Sequence, residues 1–235
     1  MSKSVIIVGG NSGIGAEVLD RFIAVGYAVH LLLRKPEAIS QPVRSMQFYD
    51  ALKGGEGELE MPDVVDALVY CPGTIQLKPF HRTDGEQMRE DMEVNAFGAA
   101  RVIQAALPAL KKSGSVGGAS VVMFSSVAAQ TGLAFHASIG MAKAAVEGLT
   151  LSLASELAPA GIRVNAIAPS LTDTPLASVL LNSDAKREAC AARHPIHRVG
   201  SVAGVGSLVS YLVGDDAGFV TGQVFKVDGG MGALR

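Results

Sequence analysis

A glycine-rich loop near the start of the chain is the first place where residue types and spacing can do chemistry. The stretch VIIVGGNSGIGAEVL sets Gly9, Gly13 and Gly15 in a G-x3-G-x-G pattern, after an apolar run and before a helical one. Glycines there let the backbone turn sharply and let a pyrophosphate approach amide N–H groups at the positive end of a helix. The pattern predicts a dinucleotide site. A second apolar run ends LLLRKPE, so Leu33 is followed by Arg34 and Lys35 and not by an acid. An acid would accept the 2′-hydroxyl of NAD, whereas basic side chains suit a 2′-phosphate, and NADP(H) is favoured over NAD(H). The plainer alternative is a pair of solvated loop charges.

Other chemistries find little support. His81, His194 and His197 lack metal-ligand grouping, and HPIH is expected at a helix end or a substrate lid. Cys71 and Cys190 stand far apart without ligand spacing, which predicts two inert thiols in a reducing compartment. The net charge is −2 and there is no basic run, so neither nucleic acid nor an anionic membrane is an expected partner; a small molecule is. The apolar run in MSKSVIIVGG is too short for a signal peptide or a membrane span, and a cytoplasmic location is expected.

These residues need a scaffold. The 235 residues, 49% hydrophobic and 18% charged, are enough for one α/β domain, taken as residues 1–235, with a large core. Nearly continuous apolar runs predict strands covered on both faces at Ser4–Val8, Ala28–Leu33, Ser45–Tyr49, Ala67–Tyr70, Ala119–Phe124, Arg163–Ala168 and Gln223–Val227. Helices are predicted at Gly13–Val25, Met88–Lys112, Ser138–Leu157, Ala185–Arg193 and Val202–Val213. The alternation implies right-handed crossovers in a doubly wound parallel sheet. Between Tyr49 and Ala67 there is room for at most a short helix. Leu171–His197 follows the sixth strand, where such folds make ligand contacts, and can cover a substrate.

GGNSGIG, VNAFGAARVIQAALPAL, VVMFSSVAAQTG, MAKAAVEGLTLSLASELAPAGIRVNAIAPSLTDTPL and TGQVFKVDGG occur in that order. Together they make the whole chain resemble the short-chain dehydrogenases/reductases. The resemblance implies a Rossmann-like domain with a sheet of seven parallel strands, a nicotinamide cofactor and a Ser–Tyr–Lys group assisted by Asn. By the same resemblance Gly9, Asn11, Ser12, Gly13, Ile14 and Gly15 form the pyrophosphate loop, and Asp50 lies beside the adenine. Gly73 is the glycine kept where the family has Asn-Ala-Gly, and Pro169 and Thr174 lie around the nicotinamide. Asn95, Ser126 and Lys143 are the assisting asparagine, the catalytic serine and the lysine, with Asn95 and Lys143 also toward the cofactor.

The family's tyrosine falls four residues before the lysine, where this chain has Ile139. Hydride delivery to a carbonyl builds negative charge on oxygen that a proton donor must quench, and isoleucine has no proton to give. His136 lies three residues before Ile139 and seven before Lys143, which can place its imidazole on the same helix face; alternatively it is a helix-start residue bonded to backbone. Ser126 is a weak acid unaided, and Ser138 is expected as an N-cap. Small residues Ala142, Ala144, Ala145 and Gly148 permit close packing inside the subunit or across an oligomer interface, and a homo-oligomer, dimer or tetramer, is expected. The expected function is an NADP(H)-dependent oxidoreductase of a small carbonyl/alcohol pair with a non-standard proton donor. The alternatives are an NADP(H)-binding sensor or structural protein without turnover, and non-redox chemistry with His136 as base.

Overall fold

The computed structural model describes residues 2–35, 39–53 and 59–234. The first half of the chain lays down β1 (Ser4–Val8), α1 (Gly13–Ala24), β2 (Ala28–Leu33), β3 (Ser45–Phe48), β4 (Ala67–Tyr70), α2 (Gly85–Met92), α3 (Gly98–Leu110) and β5 (Ala119–Phe124). The second half adds α4 (Ala137–Leu157), β6 (Ile162–Pro169), α5 (Asp184–Ala191), α6 (Val202–Val213) and β7 (Val224–Val227). All pairings are parallel, and the seven strands lie in the order β3-β2-β1-β4-β5-β6-β7.

Alternate residues of β2, β1, β4, β5 and β6 serve opposite layers, which is why those runs read as continuously apolar. By contrast β3 and β7, at the sheet edges, are half-buried to exposed and not covered on both faces as the sequence predicts. Ile6, Val8, Leu68, Val121 and Met123 belong to one core beneath α3 and α4. Val5, Ile7, Val69, Val122 and Ile167 belong to the other, beneath α1 and α6. The chain winds outward from β1 to β3, then crosses to β4 and winds the other way. That reversal opens a crevice beyond the carboxyl ends of β1 and β4, the usual ligand position in doubly wound sheets.

The strand expectations agree with the structure to within one residue at each end. The helix expected over Met88–Lys112 needs correction. It starts earlier, because Asp84 caps α2 by accepting the Gln87 amide at 2.8 Å. It is also interrupted by a π-turn over Glu93–Phe97. Side chains take up carbonyls along that stretch: Tyr70 donates its phenol to the Val94 carbonyl at 2.7 Å, and Tyr49 donates to the Gly98 carbonyl at 3.0 Å. Between β3 and β4 the described residues contain a single 3-10 turn, Ala51–Lys53; residues 54–58 of that interval lie outside the described ones.

Candidate active site

The loop after β1 has the shape its glycines require. Gly9 and Gly13 sit at φ 75° and 53°, the left-handed region that glycine enters without strain. Gly15 tolerates no side chain, since a Cβ there would stand 2.1 Å from the Gly9 carbonyl oxygen. Ser12 precedes α1 in extended conformation, and its side chain caps nothing. The first-turn amides of α1, which have no partner within a helix, are therefore left for an anion. Asn11 and Ser12 are exposed on this loop. Arg34 and Lys35 are exposed just beyond β2. Asp50 accepts the Leu52 amide at 3.1 Å and so shapes the turn after β3.

Phe135 carries φ 69°, a costly conformation for a bulky residue, and this tight bend delivers His136 to the N-cap of α4. The His136 Nδ1 lies 2.7 Å from the Ala134 carbonyl oxygen. A carbonyl only accepts, so Nδ1 carries the hydrogen and Nε2 is left for a ligand. His136 is a helix-start residue bonded to backbone, and it also lines the cavity. One turn on, Ile139 is buried against the same cavity. Ser138 is not the N-cap that the sequence suggests. It sits inside the first turn of α4, and its hydroxyl donates to the buried Asp91 carboxylate.

Asp91 is fully buried and also accepts the Thr74 hydroxyl. Asn95 joins this cluster from the π-turn, its Nδ2 donating to the Asp91 carbonyl at 2.8 Å and to Thr74 Oγ1 at 3.1 Å. Its Oδ1 has no partner among the described residues. A Cβ on Gly73 would come within 3.4 Å of that oxygen and 3.5 Å of Lys143 Nζ, so the glycine keeps the space between Asn95 and Lys143 open. Lys143 is buried and donates from Nζ to the Phe124 carbonyl at 2.7 Å. Burial lowers its pKa from 10.5 to about 8, against the opposing pull of Asp91. Ser126 accepts the Ala128 amide at 3.2 Å as cap of the 3-10 turn Val127–Ala129, which leaves its hydroxyl proton to donate.

Ile14, Gly73, Ser126, His136, Ile139, Lys143, Pro169 and Thr174 converge on one cavity of about 260 Å³ at the carboxyl end of the sheet. Thr174 also touches the loop, at 3.4 Å from where a Gly13 Cβ would stand. Asn95 lies behind the lining, while Arg34 and Asp50 stand away from the cavity. None of the four tyrosines is in its lining. Tyr49 and Tyr70 are committed to backbone carbonyls, Tyr27 packs on Phe22 at 4.9 Å, and Tyr211 is exposed on α6. Cys71 lines the cavity, but burial pushes its thiol up to about 12 and keeps it protonated. Leu171–His197 supplies one wall, with Leu176, Leu180, Cys190, Arg193 and His194.

Sequence reasoning missed Asp91, Thr74 and the pairing of Ser170 with His194. Asp91 lies four residues before Asn95, a spacing that shares a helix face and was a readable signal. Thr74 and the Ser170–His194 pair depend on contacts between distant segments, which no local pattern carries.

Among the described residues no group of His, Cys, Asp or Glu is placed to hold a metal, and no helix is long and apolar enough to cross a membrane. Residues 59–232 match the family model described as Enoyl-(Acyl carrier protein) reductase. A tropinone reductase homolog of Arabidopsis thaliana is 33% identical over 242 residues, covering 96% of this chain and 91% of that protein. Among solved structures, a short-chain type dehydrogenase/reductase from Mycobacterium ulcerans superposes with TM-score 0.85 at 27% identity, covering 100% of this chain and 92% of that one. ElxO with NADP bound gives TM-score 0.82 at 26% identity, covering 98% and 99%.

Proposed function

Because the chain belongs to the short-chain dehydrogenase/reductase family, we propose that it is an NADP(H)-dependent oxidoreductase interconverting a small carbonyl compound and its alcohol. The observation that carries this reading is one cavity that brings together Thr174 beside Gly13, the buried Lys143 and the imidazole of His136, whose Nε2 is open to a ligand. The cofactor loop fits a pyrophosphate, since Gly9, Gly13 and Gly15 leave the amides of the α1 N-terminus clear of side chains. Asn11, Ser12 and Ile14 complete the loop, Arg34 takes the 2′-phosphate, and Asp50 borders the adenine. Gly73, Pro169 and Thr174 shape the nicotinamide end. Bound there, the nicotinamide supplies or takes up a hydride.

The chain's own residues do the rest. Ser126 donates a hydrogen bond to the substrate oxygen, and Lys143, with Asn95 behind it, holds the ribose side of the pocket. Ile139 contributes hydrocarbon only. His136, whose Nδ1–H is anchored on the Ala134 carbonyl, gives the Nε2 proton of its imidazolium form as the alkoxide forms and, as the neutral imidazole, takes it back at Nε2 in the reverse direction. His136→Phe should lower kcat about 10²–10⁴-fold with cofactor affinity unchanged, because the lost interaction forms as charge develops. Unchanged turnover in that variant would remove His136 from the mechanism.

A second reading is favoured by Ile139 itself. With an apolar side chain four residues before Lys143, the protein binds NADP(H) as a sensor or structural partner without turnover. If the unmodified protein reduces no carbonyl in a broad panel while Ile139→Tyr does, this reading replaces the first. We place the protein in the cytoplasm and expect a homo-oligomer, dimer or tetramer, since α4 exposes Met141 and Leu151 beside open space at Gly148.

A further inference from the structure

Ser170 and His194 form a pair that the redox reading does not use. Ser170 Oγ lies 2.8 Å from His194 Nε2, and His194 Nδ1 lies 2.9 Å from the Cys190 carbonyl oxygen. A carbonyl oxygen can only accept, so Nδ1 carries the ring hydrogen. In the neutral imidazole Nε2 is then a lone pair, and the bond to Ser170 must be donated by the serine hydroxyl. The serine therefore turns its own lone pairs outward. Both residues line the cavity; His194 is 2% exposed, whereas Ser170 is half-buried and reachable by a ligand.

The pair is held by its framework. Ser170 donates its amide to the Val227 carbonyl at 3.2 Å, which ties it to β7. The His194 amide donates to the Ala191 carbonyl at 3.0 Å at the end of α5. A hydroxyl in contact with a base that is itself oriented by a third group is the arrangement that activates a serine nucleophile. Ser126 faces the same cavity, and its unspent hydroxyl proton can be donated to a developing oxyanion.

We propose that Ser170 is a nucleophile with His194 as its general base, and that the cavity takes esters or thioesters of short aliphatic acids. The apolar lining supplied by Leu133, Ile139, Leu171, Leu176 and Leu180 suits an alkyl chain. Ser170 Oγ forms a bond to the acyl carbon as its proton passes to His194 Nε2. The alcohol or thiol leaves when the C–O or C–S bond breaks and takes that proton. Water then attacks the acyl carbon and gives one proton to Nε2; the C–Oγ bond of the acyl-serine breaks, Oγ takes that proton from Nε2, and the carboxylic acid and the free serine are released. No redox equivalent is needed, so this activity stands or falls apart from the NADP(H) reading.

The test uses the cofactor-free full chain with p-nitrophenyl butyrate, following p-nitrophenolate release and the mass of the intact protein. Expected is release above the solution background, with any trapped butyryl group mapped to Ser170. S170A, checked for folding by circular dichroism, should fall to background. H194Q, which keeps a polar group near Ser170 without a base, should react about 10²–10⁴-fold more slowly; H194N serves if H194Q does not fold. Release from S170A or from the folded His194 variant at the unmodified rate would overturn the proposal. So would a butyryl group on Lys143 or Cys190 in place of Ser170, or no reaction above background.

Discussion

Lys143 is a buried amine whose ordinary pKa of 10.5 is lowered to about 8, chiefly by desolvation. The sign follows from linkage. Below pH 8 both folded and unfolded chains hold the proton, and burying the charge costs the fold about 3 kcal/mol. Between pH 8 and 10.5 the unfolded chain holds more protons, so the cofactor-free protein gains stability as pH rises, and above 10.5 the cost is gone. Lys143→Met should therefore lack this rise, which urea denaturation across the window checks; parallel profiles for the two proteins would contradict it. Asp91 pulls Lys143 the other way, so Asp91→Asn should move the lysine lower still, read by NMR titration of its ε-methylene. At the loop, Gly13→Val should abolish NADPH binding in a fluorescence titration, since its φ of 53° and the nearby Thr174 leave a branched side chain neither conformation nor room. A folded variant that binds normally would remove the loop from the cofactor site. The loop was legible in the sequence because glycine types at fixed spacing report backbone shape directly. Ser138 was misread because a serine near a helix start looks like a cap, and only the folded chain shows Asp91 claiming its hydroxyl.

The π-turn between α2 and α3 decides where Asn95 points, and its neighbours show why it is there. A Cβ on Gly98 would stand 2.3 Å from Tyr70 Oη and 2.9 Å from the Ala51 Cβ, so only glycine lets the helix pass Tyr70 at the end of β4 and Ala51 in the 3-10 turn. Gly98→Ala should destabilise the fold by about 1–3 kcal/mol through overpacking. Tyr70→Phe should cost about 1 kcal/mol through loss of the bond to Val94. Combined, the two should cost less than their sum, because removing the phenol oxygen vacates the space the new methyl needs. Denaturant midpoints of the three variants measure this coupling; strict additivity would mean that Gly98 is not confined by Tyr70. The interruption was invisible in the sequence, since MEVNAFGAARV reads as an unbroken helical pattern. The cap at Asp84 is legible in type, a carboxylate three residues before the Gln87 amide it accepts.

The parallel, doubly wound sheet was readable across nearly the whole chain, because strands covered on both faces leave uninterrupted apolar runs and the helices between them set the crossover direction. Cofactor preference belongs to this scale too. Arg34 stands just beyond β2, with no acid before it. NADPH should bind more tightly than NADH, and Arg34→Ala should narrow the gap; equal affinities in the unmodified protein would refute the assignment. Hydride transfer in this cavity is the proposed chemistry, and the most direct measurement follows the atom itself. The protein is incubated with NADPH carrying deuterium on the transferring face of the nicotinamide and a panel of aldehydes and ketones, and the products are analysed by mass spectrometry. The expected product is an alcohol bearing one deuterium on the former carbonyl carbon, formed by the unmodified protein and strongly reduced in His136→Phe. An absence of deuterated alcohol from the unmodified protein with every carbonyl, while NADPH still binds, would contradict it.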